Sequence, residues 1–413
     1  MKITYLLCIS SYVLFCIRNR NSRNILAEFL LFSVIAAPGI SIDGRLINIV
    51  DFLFPCLFVY LFFVNGKRMQ LSALEGAYFL YALIALFSLL VNFGTYSSVV
   101  VALLQVIRLF YIPVGVLIFK THCNFKDKNQ AINSINVYGI WLGIITIVAF
   151  FEQGTIYDSI QSMWFNGMEV QRAAGVFGES SYLGVISLIL FVSGVFSLRN
   201  SDQSSYKRNG VIGIIFSVIC NILSYTRITN IALIFLLLAF ILTMRSFAKK
   251  VFILSVALIV VIISAAASDF VRSFIVDRMG SVFGIFEDFN GASSGRLEVW
   301  REAYERYLQG SIFFGSGYKN GFFGDNNFIM SLTQMGILGI FSHVVLIVAL
   351  CMQSWNKRGN AAWSLLFILL ICSMTCDVLT YYRPMCLMMI IYYLLNAKTS
   401  KLKLHPQAAG MRI

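Results

Sequence analysis

The sequence predicts an all-α, polytopic membrane protein of about 12–13 transmembrane helices, and three observations support this. Hydrophobic residues make up 59% of the 413 positions and charged residues only 12%, whereas soluble proteins have about 25% charged residues. The apolar residues come in blocks of about 17–25, the length that crosses a bilayer core as a helix. The ~10-residue alternating segments of a β-barrel are absent from the sequence. We read residues 1–413 as one transmembrane domain.

The apolar blocks give the expected order of spans. They lie at residues 2–17, 24–42, 46–64, 71–91, 97–119, 132–152, 181–198, 210–226, 229–244, 250–267, 327–351, 362–380 and 384–396. The first span is short, and the count becomes twelve if it does not cross. It lacks a small-residue cleavage site, so we expect it to remain as a membrane anchor.

The formal charge of +13 is distributed as membrane topology predicts. Basic residues cluster in alternate connections, for example at 18–23, 120–128 and 199–208, while the short connections between them are nearly uncharged. The positive-inside rule places the basic connections and the C-terminus in the cytoplasm. The membrane therefore accounts for the charge, and no nucleic-acid partner is expected. The loops at 153–180 and 268–326 face the opposite side, which is the periplasm in a Gram-negative host.

Cysteine and histidine patterns point to no covalent framework and no metal. The nine cysteines lie in apolar spans, at their ends, or in one basic loop, and membrane thiols of this kind are usually small apolar packers. His122, His343 and His405 have no metal-ligand spacing. We expect neither a metal site nor a cofactor.

The 268–326 loop contains one segment with helical periodicity, at residues 296–308. Leu297, Trp300, Tyr304 and Leu308 share one stripe of this segment, and charged residues line its other face. Glu302 and Arg306 lie one turn apart on that face and can pair. The pattern predicts a helix in the headgroup region of the membrane that roofs a cavity. A solvated connector helix fits the pattern equally well.

Three arginines lie on the predicted outer side, where the positive-inside rule gives no reason for them. Arg172 precedes the span at 181–198, Arg227 lies in the tight turn before the span at 229–244, and Arg296 opens the amphipathic segment. Each guanidinium offers five donors suited to phosphate or carboxylate. Each alone is more typical of an interfacial arginine, but their joint placement favours an anion site.

A second motif precedes the span at 327–351. Asp325 and Asn326 stand at the start of that span, where both residue types commonly cap helices, and capping is favoured over catalysis on these grounds alone. Gly336 and Gly339 lie three residues apart within the span and predict a flat face for close helix contact.

The order of these motifs resembles that of the O-antigen polymerase and O-antigen ligase superfamily. The resemblance covers residues 170–340 and rests on four segments: the Arg-x-x-Gly-x-Phe re-entry segment at 172–177, the Ser/Thr-Arg turn at 224–227, the Arg-x-x-x-Trp segment at 296–300, and Asp325-Asn326 followed by nine residues, Gly336 and Gly339. Asp325 stands where the family has His, which favours a polymerase over a ligase and leaves the general base uncertain.

The resemblance implies a glycosyltransferase that uses lipid-linked sugars in the bacterial inner membrane, with its active face in the periplasm. Its donor is a growing glycan on undecaprenyl pyrophosphate, and its acceptor is a repeat unit on the same lipid. Other implied partners are membrane lipid, a chain-length regulator and a flippase. The implied catalytic residues are Asp325, Glu179 and Arg296. The implied substrate-binding residues are Arg172, Arg227, Asn326, Trp300 and Tyr304.

Arg108 is an ionisable residue in the middle of the span at 97–119, where an unpaired charge costs roughly 2.5–3.5 kcal/mol. We expect it to face the bundle interior and to pair with one of four carboxylates: Glu28, Asp51, Glu75 or Asp377.

A flippase for lipid-linked oligosaccharides is the main alternative from another functional class. It predicts two similar halves and short loops throughout, which the 268–326 loop fits poorly. An O-antigen ligase is the alternative within the enzyme class. No feature of the sequence argues positively for a purely structural scaffold.

Overall fold

The computed structural model describes residues 3–20, 22, 24–38, 40–42, 45–47, 51, 54–56, 59, 71–96, 98–123, 128–152, 160–165, 168–243, 296–320, 326–355, 360–374 and 376–396. The span expected at 250–267 and most of the one at 46–64 lie outside these residues. So do most of the 268–326 loop, Asp325, and the side chains of Arg296 and Leu297.

The described residues form twelve α-helices, which confirms the all-α, polytopic fold class. They are α1 (Ile3–Asn19), α2 (Ile25–Ile35), α3 (Ala73–Val91), α4 (Val99–His122), α5 (Lys128–Phe151), α6 (Ser180–Asn200), α7 (Ser204–Leu223), α8 (Arg227–Leu242), α9 (Arg296–Gln309), α10 (Asn327–Trp355), α11 (Asn360–Ser373) and α12 (Tyr382–Asn396). Six of them, α3 to α7 and α10, are long and apolar enough to cross a membrane. A further five, α1, α2, α8, α11 and α12, are shorter apolar helices.

Two short hairpins accompany the helices. β1 (Ile40–Ile42) pairs antiparallel with β2 (Arg45–Ile47), and β3 (Ile160–Phe165) pairs with β4 (Met168–Ala173). The first hairpin corrects the span expected at 24–42, because α2 ends at Ile35, three residues before a proline that cannot donate a helical hydrogen bond. The second hairpin lies in the predicted re-entry loop and carries Arg172 on β4, opposite Gln161.

α12 forms the centre of the bundle. The buried side chains between Tyr382 and Tyr392 have no more than 2% of their surface exposed. A helix that is apolar all round is expected to be enclosed by other helices. α2, α4, α5, α6 and α11 all contact α12, and the outer helices bury their faces against this core.

The bundle has two chemically different ends. At one end, the basic end, Arg199 in the last turn of α6 donates to the Phe240 carbonyl and Lys120 of α4 pairs with Glu75 of α3. At the opposite end, the site end, α6, α8, α10 and α12 all begin. All of the described residues predicted for the site lie at this second end.

α10 is broken at Gly336, which has φ 66° and ψ −157°. A Cβ on Gly339 would lie 2.4 Å from the Ser331 carbonyl oxygen, so the two halves of α10 approach each other closely across the break. The predicted flat face for another helix is therefore wrong. The glycines permit a sharp kink, because φ near +60° with extended ψ is essentially restricted to glycine.

The segment after α9 supplies the hydrogen bonds that the break leaves unmade. The amides of Ile337 and Leu338 donate to the carbonyls of Ile312 and Phe313, at 3.0 and 3.3 Å. The Ser316 amide donates to the Thr333 carbonyl at 2.8 Å. A non-helical backbone at membrane depth needs such partners from the protein itself.

α9 packs against α10 through Ala303, which is fully buried and whose carbonyl accepts a hydrogen bond from Thr333 Oγ1 at 3.3 Å. The predicted Glu302–Arg306 pair is confirmed, with Arg306 Nη2 3.0 Å from Glu302 Oε1. Trp300 is partly buried, whereas Tyr304 is 54% exposed. The helix therefore turns its small residue toward α10 and leaves aromatic surface outside.

Candidate functional site

Arg172 and Arg227 lie together at the site end, as the sequence predicts. Arg172 Nε donates to the Ser224 carbonyl at 3.2 Å, and Arg172 Nη2 donates to Thr226 Oγ1 at 3.1 Å. Arg227 follows directly as the first residue of α8. Burial lowers the pKa of Arg172, the nearby Glu179 carboxylate opposes that shift, and the Arg227 charge adds to it. Hydrogen bonding to the turn thus holds two cations side by side.

The turn between α7 and α8 is held in shape by its own residues. Tyr225 has φ 51°, a left-handed conformation that is uncommon for a bulky side chain. The Ser224 hydroxyl donates to the Asn221 carbonyl at 2.7 Å, and Asn221 in turn donates to the Gly184 carbonyl of α6 at 3.1 Å. This network positions the Ser224 carbonyl that Arg172 uses.

Glu179 precedes α6 and lies within electrostatic reach of Arg172. Its Oε1 accepts a hydrogen bond from the Ser181 hydroxyl at 2.6 Å, and Tyr182 also bonds to the carboxylate. Burial raises the pKa of Glu179 and the Asp377 charge raises it further, while its hydrogen bonds and the Lys319 charge oppose the rise. This carboxylate therefore holds its proton to a higher pH than an exposed glutamate does.

Lys319 and Asp377 form a second charged pair at the site end. Lys319 Nζ lies 2.5 Å from Asp377 Oδ2, and the two side chains are only 13% and 11% exposed. The Lys319 amide donates to Gln334 Oε1 at 3.1 Å, which ties the pair to the first half of α10. The sequence did not identify Lys319 as a site residue.

The sequence predicts Asp377 at the end of the span at 362–380, and the structure places it just beyond the helix. α11 ends at Ser373 and α12 begins at Tyr382, so Asp377 lies in the connection between them. The described part of that connection joins the site end because Tyr381 stacks on Tyr182, with ring centroids 3.7 Å apart and planes 8° apart. The Tyr381 hydroxyl donates to the Phe177 carbonyl at 3.1 Å, and burial raises its pKa to about 12.

The pairing predicted for Arg108 is confirmed, and its partner is Asp51. Arg108 Nε and Nη2 lie 2.9 and 2.8 Å from the two Asp51 carboxylate oxygens, a bidentate arrangement. Of the other three candidates, Glu75 pairs with Lys120, Asp377 pairs with Lys319, and Glu28 accepts hydrogen bonds from Ser134 and Tyr138. The charges of Arg108 and Asp51 also act on Tyr381.

Arg383 stabilises the re-entry segment at residues 172–177 through hydrogen bonds. It is fully buried and donates to three carbonyls, those of Val34, Ala37 and Val176, at 2.9–3.0 Å. Its guanidinium carbon lies 4.4 Å from the centre of the Phe177 ring. One central arginine thus connects the end of α2, the start of α12 and the Arg-x-x-Gly-x-Phe segment.

Asn326 caps α10. Its Oδ1 accepts hydrogen bonds from the amides of Phe328 and Ile329 at 2.9 and 3.2 Å, and its Nδ2 donates to the Met374 carbonyl at 3.1 Å. This is the role that the sequence favoured. Asp325 and the Arg296 side chain lie outside the described residues, so their predicted catalytic roles stay predictions. Trp300 and Tyr304 lie on α9, beside the first half of α10.

We call Arg172, Arg227, Glu179, Lys319 and Asp377 the site cluster. Each member interacts electrostatically with at least one other: Arg172 with Arg227 and Glu179, Glu179 with Lys319 and Asp377, and Lys319 with Asp377. The cluster combines fixed cations, which suit phosphate oxygens, with carboxylates, which accept protons and hydroxyl hydrogen bonds.

No model of a protein family matches the chain, and a search of curated proteins gives no match. The resemblance to the polymerase and ligase superfamily rests on the four motifs and their order along the chain.

Proposed function

We propose that this chain is a polymerase of lipid-linked oligosaccharide repeat units, for O-antigen or a related surface polysaccharide. The observation that carries the proposal is the contact of Arg172 with Ser224 and Thr226, which joins two of the four motifs and places Arg172 beside Arg227. Glu179, the residue that continues the re-entry motif, lies within electrostatic reach of Arg172.

In the proposed reaction, the acceptor hydroxyl oxygen forms a bond to the anomeric carbon of the donor glycan. The bond from that carbon to the undecaprenyl pyrophosphate oxygen breaks, and the electron pair leaves on the pyrophosphate. Arg172 and Arg227 stabilise the negative charge that develops there, as preorganised donors do in other group transfers. Arg296, from the third motif, is proposed to bind the same group.

The hydroxyl proton passes to a carboxylate, for which Glu179 and Asp325 are the candidates. Burial raises the pKa of Glu179, which brings the carboxyl closer to the neutral pH at which a general base works well. Asn326, Trp300 and Tyr304 are proposed to border the bound substrate.

We further propose that the site end faces the periplasm and that the protein resides in the bacterial inner membrane, with a cytoplasmic C-terminus. Basic and nearly uncharged connections alternate along the chain, and the basic ones include Arg18, Lys120, Lys128 and Arg199. The positive-inside rule assigns such residues to the cytoplasm.

The test is complementation of a deletion strain, followed by gel analysis of surface polysaccharide. Deletion is expected to leave one repeat unit capped on the lipid core. Free lipid-linked polymer would instead indicate a ligase, and intracellular build-up of lipid-linked units a flippase. Arg172→Lys and Arg227→Ala should fail to restore long chains at normal protein abundance. Arg301→Ala is the control, because Arg301 pairs only with Glu305 on an exposed face of α9 in the described residues. Long chains in both site variants would refute the anion site.

A further inference from the structure

Several buried polar atoms beside the site cluster have no partner among the described residues. They include Asp377 Oδ1, both side-chain polar atoms of Asn327, and His343 Nε2. Asn327 and His343 are each 1% exposed. A buried polar atom without a partner costs about 1–3 kcal/mol, so a group of them in one place calls for an explanation, and hydrogen bonds from a ligand are one.

These residues come from different segments that meet at the broken α10. Asn326, next to Asn327, bonds to the Met374 carbonyl, which brings the start of α10 to the connection that carries Asp377. His343 Nδ1 lies 3.2 Å from the Ser331 hydroxyl, and Ser331 is one turn after Asn327 on the same helix. The His343 ring also stacks on Phe328, with centroids 4.3 Å apart, and the Asp377 charge acts on His343.

The chemistry of the three groups selects the kind of ligand. Asp377 Oδ1 only accepts hydrogen bonds when ionised, an asparagine amide both donates and accepts, and an imidazole nitrogen does either. A phosphate offers acceptors and negative charge, so it would be repelled by Asp377. Sugar hydroxyls both donate and accept, and they match the whole set.

We propose that Asp377, Asn327 and His343 form a subsite that binds sugar hydroxyls, next to the anion site of Arg172 and Arg227. Lys319 holds the second Asp377 oxygen and fixes the carboxylate in place. This inference rests on the proposed function, because it assigns the glycan and the pyrophosphate to neighbouring parts of the same site.

The test measures binding rather than turnover. The full chain, purified in detergent, is titrated with the delipidated repeat-unit oligosaccharide of the host polysaccharide and, separately, with inorganic pyrophosphate. Asp377→Asn should weaken oligosaccharide binding at least about tenfold and leave pyrophosphate binding unchanged. Arg172→Lys should do the reverse. Asp202→Asn, an exposed aspartate at the basic end, is the control and should bind both ligands normally.

A second variant separates ligand binding from folding. Asn327→Leu removes an amide that has no partner among the described residues, so its melting temperature should equal or exceed that of the wild type, while oligosaccharide binding falls at least about tenfold. Normal oligosaccharide binding in both Asp377→Asn and Asn327→Leu would overturn the subsite, as would a wild-type protein that binds no oligosaccharide. Retained oligosaccharide binding without any pyrophosphate binding would support the subsite and count against the proposed function.

Discussion

Substitution of Gly336 by alanine is predicted to be the most damaging single-methyl change in the described part of α10. Two separate effects act on the new Cβ. The backbone at φ 66° and ψ −157° is accessible almost only to glycine. The Cβ would also lie 2.4 Å from the Phe313 carbonyl carbon and 2.5 Å from its oxygen, closer than the 3.0 Å that real Cβ contacts respect.

The cost follows from these two effects. Holding a non-glycine residue in a sparsely populated conformation costs about 1–3 kcal/mol. Relieving the overlap requires a backbone shift of about 0.6 Å, and overpacking of this kind costs about 1–3 kcal/mol. Together the effects amount to about 2–6 kcal/mol, a large fraction of the about 5–15 kcal/mol that stabilises a typical native protein.

The matched control is Gly76→Ala on α3. Apart from the neighbouring backbone of α3 itself, no described atom lies within 4 Å of a Cβ at Gly76, and alanine favours helix over glycine by about 1 kcal/mol. Both variants would be measured in detergent by monodisperse yield and apparent melting temperature. Gly336→Ala should lose most folded protein, while Gly76→Ala should equal or exceed the wild type. Equal melting temperatures for the two variants would refute the account of the α10 break.

Three further predictions concern buried charges. Asp51→Asn should destabilise the protein by up to about 3–5 kcal/mol, because it leaves the Arg108 charge without its bidentate partner. The double variant Asp51→Asn, Arg108→Gln should recover part of the lost stability. An unchanged melting temperature for Asp51→Asn would contradict this prediction. Arg383→Lys should lower the melting temperature, because one ammonium cannot reproduce the planar fork that reaches carbonyls on three segments, and each carbonyl left without a donor costs about 1–3 kcal/mol. Burial raises the pKa of Glu179, so the folded chain binds the Glu179 proton more tightly than the unfolded chain does. The protonated carboxyl therefore adds to the free energy of unfolding at low pH. That contribution is lost as the pH rises from about 4.3, the pKa in the unfolded chain, through the raised pKa in the folded chain. Glu179→Gln should remove that dependence in thermal unfolding between about pH 4 and pH 8, and parallel curves for the two proteins would argue against a buried Glu179.

The long, strongly apolar spans were predictable, because twenty consecutive apolar residues have few stable alternatives to a membrane helix. The positions at which these helices end were less predictable. The span at 24–42 stops early at Ile35, and the one at 362–380 stops at Ser373. In both cases the apolar residues continue past the helix, but other parts of the fold use their backbone groups, as Arg383 uses the Ala37 carbonyl. Hydropathy is a property of side chains, so it does not reveal such hydrogen bonds to the backbone.

Within the site, the sequence identified Arg172 and Arg227 because arginines are unusual at span ends away from the basic connections, and Glu179 because it continues the motif that resembles the polymerase and ligase superfamily. It did not find the Lys319–Asp377 pair, whose members are 58 residues apart. Single charged residues in separate connections carry no sign of their partner until packing brings them together. The glycine spacing at 336 and 339 was noticed but misinterpreted, since three-residue spacing is common to helix contacts and to a kink.

The hydrogen bonds from residues 312–316 to α10 have a practical consequence for protein engineering. A segment joined to the amphipathic α9 here completes the backbone bonding of a membrane helix, so the two cannot be exchanged independently. A chimera with a border between residues 317 and 326 would combine a foreign 312–316 segment with a native kink, and the amides at 337 and 338 would meet mismatched carbonyl acceptors. Borders placed before α9 and after the kink would transplant the whole unit intact.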